Sequence, residues 1–128
     1  MPASERAVEL GLAAAQAAAD KLASDILLLD VSEQLVITDV FLLASAPNDR
    51  QVKAIVDDIE DKLRDLGCKP LRREGEKEGR WVLLDFGDVV VHAQHQEERV
   101  FYALERLWKD CPVIPFVDAD LERAAGRH

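Results

Sequence analysis

Asp30, Asp39, Asp85 and Asp88 are the carboxylates best placed for chemistry, because each falls at the end of an apolar run that reads as a strand. Carboxylates so placed can converge on magnesium, as nucleotide-transferring folds require. A magnesium-dependent, nucleotidyltransferase-like enzyme is therefore one reading. The segment that would cradle a phosphate is Ala44-Ser45-Ala46-Pro47-Asn48. It carries no glycine, and Pro47 has no N–H to donate. Asp85-Phe86-Gly87 spells the magnesium motif of protein kinases, but no glycine-rich loop or His-Arg-Asp loop accompanies it. A hairpin corner that needs glycine is sufficient reason for it. His92 and His95 would point to opposite faces of a strand, and no zinc-ligand spacing surrounds them. His95 suits a helix-entry turn. Cys68 follows Gly67 and precedes Lys69, whose charge would lower a thiol pKa, though a half-buried structural thiol is the ordinary case. Cys111 lies far along the chain, so the two read as reduced thiols. These residues lead us to expect no catalytic site, no cofactor and no metal.

Trp81 opens a different possibility. In Arg80-Trp81-Val82-Leu83-Leu84-Asp85-Phe86, an extended backbone puts Trp81, Leu83 and Asp85 on one face. Val82, Leu84 and Phe86 share the other. One face must pack on a helix. If the other is open, it presents tryptophan and leucine beside a carboxylate, which is the composition of a binding hot spot. If both are covered, Trp81 is core. Alternation alone leaves both open.

The elements that must position these residues follow from spacing. Ser4 caps a helix ending near Ser24-Asp25, with Val8, Leu12, Ala15, Ala19 and Leu22 as its apolar stripe. Its small alanines would let it sit close to a sheet. Residues 26–29 read as a strand covered on both faces, and residues 40–44 as a second. Asn48 and Gln51 form a capping box for a helix whose apolar face is Val52, Ile55, Val56, Ile59, Leu63 and Leu66, stopped by Gly67. Residues 70–72 suit a short edge strand. Residues 80–86 and 88–92 are strands joined tightly around Gly87. Residues 96–108 form a last helix with Val100, Phe101, Leu104, Leu107 and Trp108 on one face. Cys111-Pro112-Val113-Ile114-Pro115-Phe116 holds two prolines and must be extended, laid over the body. The order α-β-β-α-β-β-β-α predicts an α/β fold: a single domain with a mixed sheet of about five strands flanked by helices.

Composition narrows the function. The 128 residues carry 16 basic and 25 acidic side chains, a net charge of −9, and 48% are hydrophobic. That length suits one domain and allows a core without metal or disulfides. No apolar run is long enough for a membrane span, and Met1-Pro2-Ala3-Ser4-Glu5-Arg6 has no secretory pattern, so a cytoplasmic chain without membrane contact is expected. The acidic balance repels a phosphate backbone and favours basic protein partners, so little direct nucleic-acid contact is expected.

The chain resembles the ribosomal silencing factor family, also called iojap-like. The likeness is carried by Asp25-Ile26 through Asp30-Val31, by Thr38-Asp39-Val40-Phe41, and by Ala44-Ser45 leading to Asp49-Arg50-Gln51-Val52. Two longer blocks follow: Trp81-Val82-Leu83-Leu84-Asp85-Phe86-Gly87-Asp88-Val89-Val90-Val91-His92, and residues 98–108 with their Phe101-Tyr102 and Leu107-Trp108 pairs. It spans roughly residues 4–108, so the chain divides into a family domain, 1–108, and a Pro-containing C-terminal tail, 109–128. The resemblance implies a translational repressor and no enzyme. Such a protein binds the large ribosomal subunit through ribosomal protein fourteen, blocks joining with the small subunit, and damps translation under nutrient limitation. It also implies a sheet related to nucleotidyltransferases without their active site, and a homodimer when free. Carried onto this chain, the partner-binding surface falls on Trp81, Leu83, Asp85, Phe86 and Asp88. Trp81 is its aromatic anchor, and Asp85 and Asp88 face basic groups. The competing expectations are the nucleotidyltransferase and a generic dimeric domain for another basic protein.

Overall fold

Ser4 turns the first apolar stretch into a helix. Its hydroxyl accepts the Ala7 N–H at 3.1 Å, and Glu5–Asp20 (α1) follows. The computed structural model describes residues 2–75 and 77–121. α1 stops earlier than its periodicity predicts, because Leu22 enters the left-handed region (φ 61°). The Leu22 and Ala23 N–H groups then close back on the carbonyls of Ala19 and Ala18. The buried face of α1 is Ala7, Leu10, Gly11, Ala14, Ala15, Ala17 and Ala18, so of the expected stripe Ala15 is buried, Leu12 packs half-buried against the core, and Leu22 is corrected to an exposed position. Small residues face inward because the helix lies close to the sheet. A Cβ on Gly11 would sit 3.1 Å from Val40 Cγ1 and 3.2 Å from Leu28 Cδ2.

Five strands form one sheet: Ser24–Asp30 (β1), Val40–Ala46 (β2), Arg72–Glu74 (β3), Trp81–Asp85 (β4) and Val89–His95 (β5). Their spatial order is β1-β2-β5-β4-β3. β2 and β5 are parallel and the other pairs antiparallel, which bears out the mixed α/β sheet. The parallel crossover is made possible by Asp49–Asp65 (α2). Asn48 caps it by accepting the Gln51 N–H at 2.8 Å. Gln51 does not complete a capping box. Its amide donates to the carbonyls of Lys21 and Leu22, tying α2 to the end of α1. Gly67 (φ 83°) ends α2, with its own N–H on Arg64 and that of Cys68 on Leu63. β3 lies at the sheet edge but begins after Pro70 and Leu71, which shifts the expected strand along the chain.

The expected continuous helix over 96–108 is corrected. It breaks at Ala103 (φ 45°, ψ 53°) into Gln96–Tyr102 (α3) and Leu104–Leu107 (α4). The buried Arg99 bridges the break to Glu105 at 3.0 Å, and the Ala103 N–H bonds to the Arg99 carbonyl. The break lets Leu104 and Trp108 turn onto the sheet, whereas Val100, Phe101 and Leu107 stay exposed. Beyond it the chain is extended. Asp30 N–H donates to Pro112, Ile114 N–H donates to Leu28, and Val113 bridges Leu29, so this segment lines the outer edge of β1. Among the described residues no helix is long and apolar enough to cross a membrane.

Candidate functional site

Alternation sorts the sheet into two faces. α1 and α2 cover the face that carries Leu28, Val40, Leu42, Val82, Leu84 and Val91. The opposite face carries Leu29, Phe41 and Leu43, with Leu27 and Val90 beside them. Register adds the rest of that face. Trp81 stands opposite Gln94 across β4 and β5, Leu83 opposite His92, and His92 opposite Leu43. Leu104, Trp108 and Cys111 cover this second face at its β1–β2 end. Towards β4 it opens, with Trp81, Leu83 and Asp85 half-buried.

A row of rings crosses the open face. Trp108 meets Phe41 at 5.3 Å between centroids, and Phe41 meets His92 at 5.1 Å, both edge-on. His92 lies 6.1 Å from Trp81, Trp81 lies 4.9 Å from Tyr102, and Tyr102 lies 5.0 Å from Phe101. Contacts of this kind stabilise by ~0.5–1.5 kcal/mol each beyond the area they bury. The row passes from core to solvent: Phe41 is 9% exposed, Tyr102 48% and Phe101 80%. Trp81 sits at the crossover, so it is neither simple core nor a free surface ring.

The residues expected to bind a partner are not all together. Trp81, Leu83 and Asp85 share the open face. Asp85, however, accepts the Gly87 N–H at 2.8 Å and pairs with Arg72 at 3.2 Å, so its carboxylate braces the β4–β5 turn. Asp88 is exposed in that turn, where its carbonyl accepts the N–H groups of Asp39 and Val40. Phe86 lies apart from them: its ring is 6% exposed in the helix-side core, where alternation with Leu84 sends it.

The groups with catalytic potential are occupied by structure. Asp30 accepts the Ala3 N–H at 2.9 Å, together with the Ser32 N–H and hydroxyl at 3.0 and 2.6 Å. Burial pushes this carboxyl up, but those hydrogen bonds outweigh it and hold it below its ordinary value. Asp39 accepts the Ser4 N–H at 3.0 Å, so these two strand-end carboxylates pin the start of α1. Among the described residues the trio whose ligand atoms converge is Asp20, Asp118 and Asp120, which contains none of the four expected aspartates. His95 caps α3 by accepting the Glu97 N–H at 3.1 Å, as a helix-entry residue should. Burial raises both thiols above their ordinary values, which is the reverse of activation. At Cys68 the cation that opposes this is Arg6, where Lys69 was expected.

Two residues of the open face were not among those expected in the partner-binding surface. His92 accepts the Trp81 indole N–H on Nδ1 at 3.2 Å. Burial lowers its pKa to about 4, so the ring is neutral. A turn at Gly87-Asp88 sets Leu83 opposite His92, and that register was the signal available. Tyr102 gave no such signal, because a continuous helix places it off the apolar face.

A family model described as "Ribosomal silencing factor during starvation" matches residues 4–128. Ribosomal silencing factor RsfS of Bacillus subtilis is 46% identical over 100 residues, covering 78% of this chain and 85% of that protein. The Mus musculus protein named "Mitochondrial assembly of ribosomal large subunit protein 1" is 32% identical over 89 residues, which are 67% of this chain and 39% of that protein. The crystal structure of a Chromobacterium violaceum protein is similar with a TM-score of 0.77 at 34% identity, over 87% of this chain and 93% of that one. The chain therefore belongs to the ribosomal silencing factor family, a family of ribosome-associated regulators that silence translation.

Proposed function

We propose that this chain represses translation by docking its open sheet face on the large ribosomal subunit, with ribosomal protein fourteen as the partner. The bound chain blocks joining of the small subunit by occupying space, in the cytoplasm and when nutrients are short. The observation that carries this reading is the ring row, which is packed at Phe41 and open at Trp81, Tyr102 and Phe101. The half-buried Trp81 ring, fixed on the sheet and packed against Tyr102 of α3, loses little entropy on binding and suits a hot spot. The name of the mouse relative supports the large subunit as the particle. A net charge of −9 suits a basic ribosomal protein better than ribosomal RNA. Trp81 and Leu83 anchor the contact, Asp88 is a rim charge, and Asp85 braces the turn beneath them. Steric occlusion requires no turnover, cofactor or metal. Free in solution, the chain is a homodimer.

Sedimentation with isolated large subunits tests the proposal. Trp81→Ala is expected to weaken binding by at least about thirtyfold, since a hot-spot ring is worth ~2 kcal/mol or more. Added to separated subunits, the wild-type chain is expected to reduce the yield of joined ribosomes, and the variant is not. Equal binding by the two chains overturns the proposal.

A further inference from the structure

We infer that His92 is a positioning residue for docking: its imidazole holds the Trp81 indole in place by accepting the indole N–H. The inference rests on the reading of Trp81 as the anchor. Trp81 Nε1 and His92 Nδ1 are 3.2 Å apart, with their ring centroids at 6.1 Å. The acceptor is itself immobile. His92 is 8% exposed, lies edge-on to Phe41, and is flanked by Leu43 and Leu83 in register on the neighbouring strands. A neutral imidazole that accepts on Nδ1 carries its proton on Nε2. That buried Nε2–H finds no partner among the described residues. A donor left in that state costs stability, and a phenylalanine in the same place would carry no such cost. What the histidine does that phenylalanine cannot is orient the indole. With the N–H bonded, the ring is already set against Tyr102 before a partner arrives, and the ordering cost is absent from the binding step.

The test uses the full chain and isolated large subunits, with sedimentation, thermal melting and the NMR signal of the Trp81 indole N–H, assigned by its loss in Trp81→Phe. His92→Phe is expected to melt at the wild-type temperature or higher. It is also expected to shift the indole signal, speed its exchange, and weaken binding about five- to tenfold, the worth of one such hydrogen bond. His92→Asn places an oxygen near the Nδ1 position and is expected to bind within about twofold of wild type. Wild-type binding by His92→Phe, beside a large loss in Trp81→Ala, overturns the inference and leaves the docking reading standing. Unchanged binding by Trp81→Ala overturns both. A fast-exchanging Trp81 indole N–H in the wild-type chain overturns the inference without any variant at position 92.

Discussion

On the face under α1 and α2, the sheet buries aliphatic side chains such as Leu28, Val40, Leu42, Val82, Leu84 and Val91 against alanines. On the other face the strands bury Ser45, His92 and Gln94, with His92 between aromatic rings, and both polar atoms of the Gln94 amide find no partner among the described residues. An aliphatic layer against small helical residues gains stability from area and close packing, and its chemistry distinguishes no partner. A layer of rings and buried polar groups is less favourable for folding, but it fixes orientation and leaves large rigid surface for recognition. The division teaches that fold and function draw on different sides of one sheet. Phe86 and Trp81 show it most directly: they lie on the same extended stretch, yet one belongs to the core and the other to the site.

Each variant below tests that division. The largest effect is expected from Leu42→Ala on the aliphatic side. It should lower the folding free energy by ~2–5 kcal/mol in denaturant titrations and leave the affinity of the folded fraction for large subunits unchanged. Next, Trp81→Ala should cost ~2–4 kcal/mol of affinity while moving the denaturation midpoint less than Leu42→Ala does. Equal damage to both readouts would erase the distinction. His92 gives a pH signature. Its folded pKa of about 4 lies below the ordinary 6.5, so the unfolded chain takes up the proton first. The chain is therefore at full stability above about pH 6.5 and loses up to ~3 kcal/mol as pH falls towards 4, at ~1.4 kcal/mol per pKa unit, because the buried ring resists the proton that the unfolded chain accepts. The slope between about pH 6.5 and 5, above the range where Asp30 contributes, should be lost in His92→Phe. Leu22→Gly should raise stability by ~1 kcal/mol, because a left-handed leucine is replaced by the residue that conformation favours, with docking untouched. Asp88→Asn should change affinity by less than ~1 kcal/mol, seen as a slower association rate and a weaker salt dependence.

Much of the architecture was legible in the sequence, because local signals there agree with tertiary packing. The α2 face from Val52 to Leu63 and the Gly67 stop are repeated in the structure because amphipathic period, cap and glycine all coincide. α1 misled because, apart from Leu10, its buried residues are its small ones. Close approach to Val40 and Leu28 selects Gly11 and the alanines, a demand no helical period reports. The last helix misled for a related reason. Residues 96–108 have an amphipathic pattern, but the Arg99–Glu105 pair bridges a turn at Ala103 that propensity does not predict. On the open face, Trp81 and Leu83 follow from alternation, whereas the contact of Tyr102 with Trp81 depends on how α3, which ends at Tyr102, docks beside β4. Asp85 was legible as a carboxylate on the right face, but its use by Gly87 and Arg72 depends on hairpin geometry.

The central claim is that the chain docks through the ring-bearing face and not through the face covered by α1 and α2. Hydroxyl-radical footprinting of the full chain, free and bound to isolated large subunits, addresses it directly. The account predicts strong protection of Trp81, Phe101 and Tyr102 on binding, with Leu22 at the end of α1 oxidised equally in both states. Protection of Leu22 with unchanged oxidation of Trp81 and Tyr102 would contradict it.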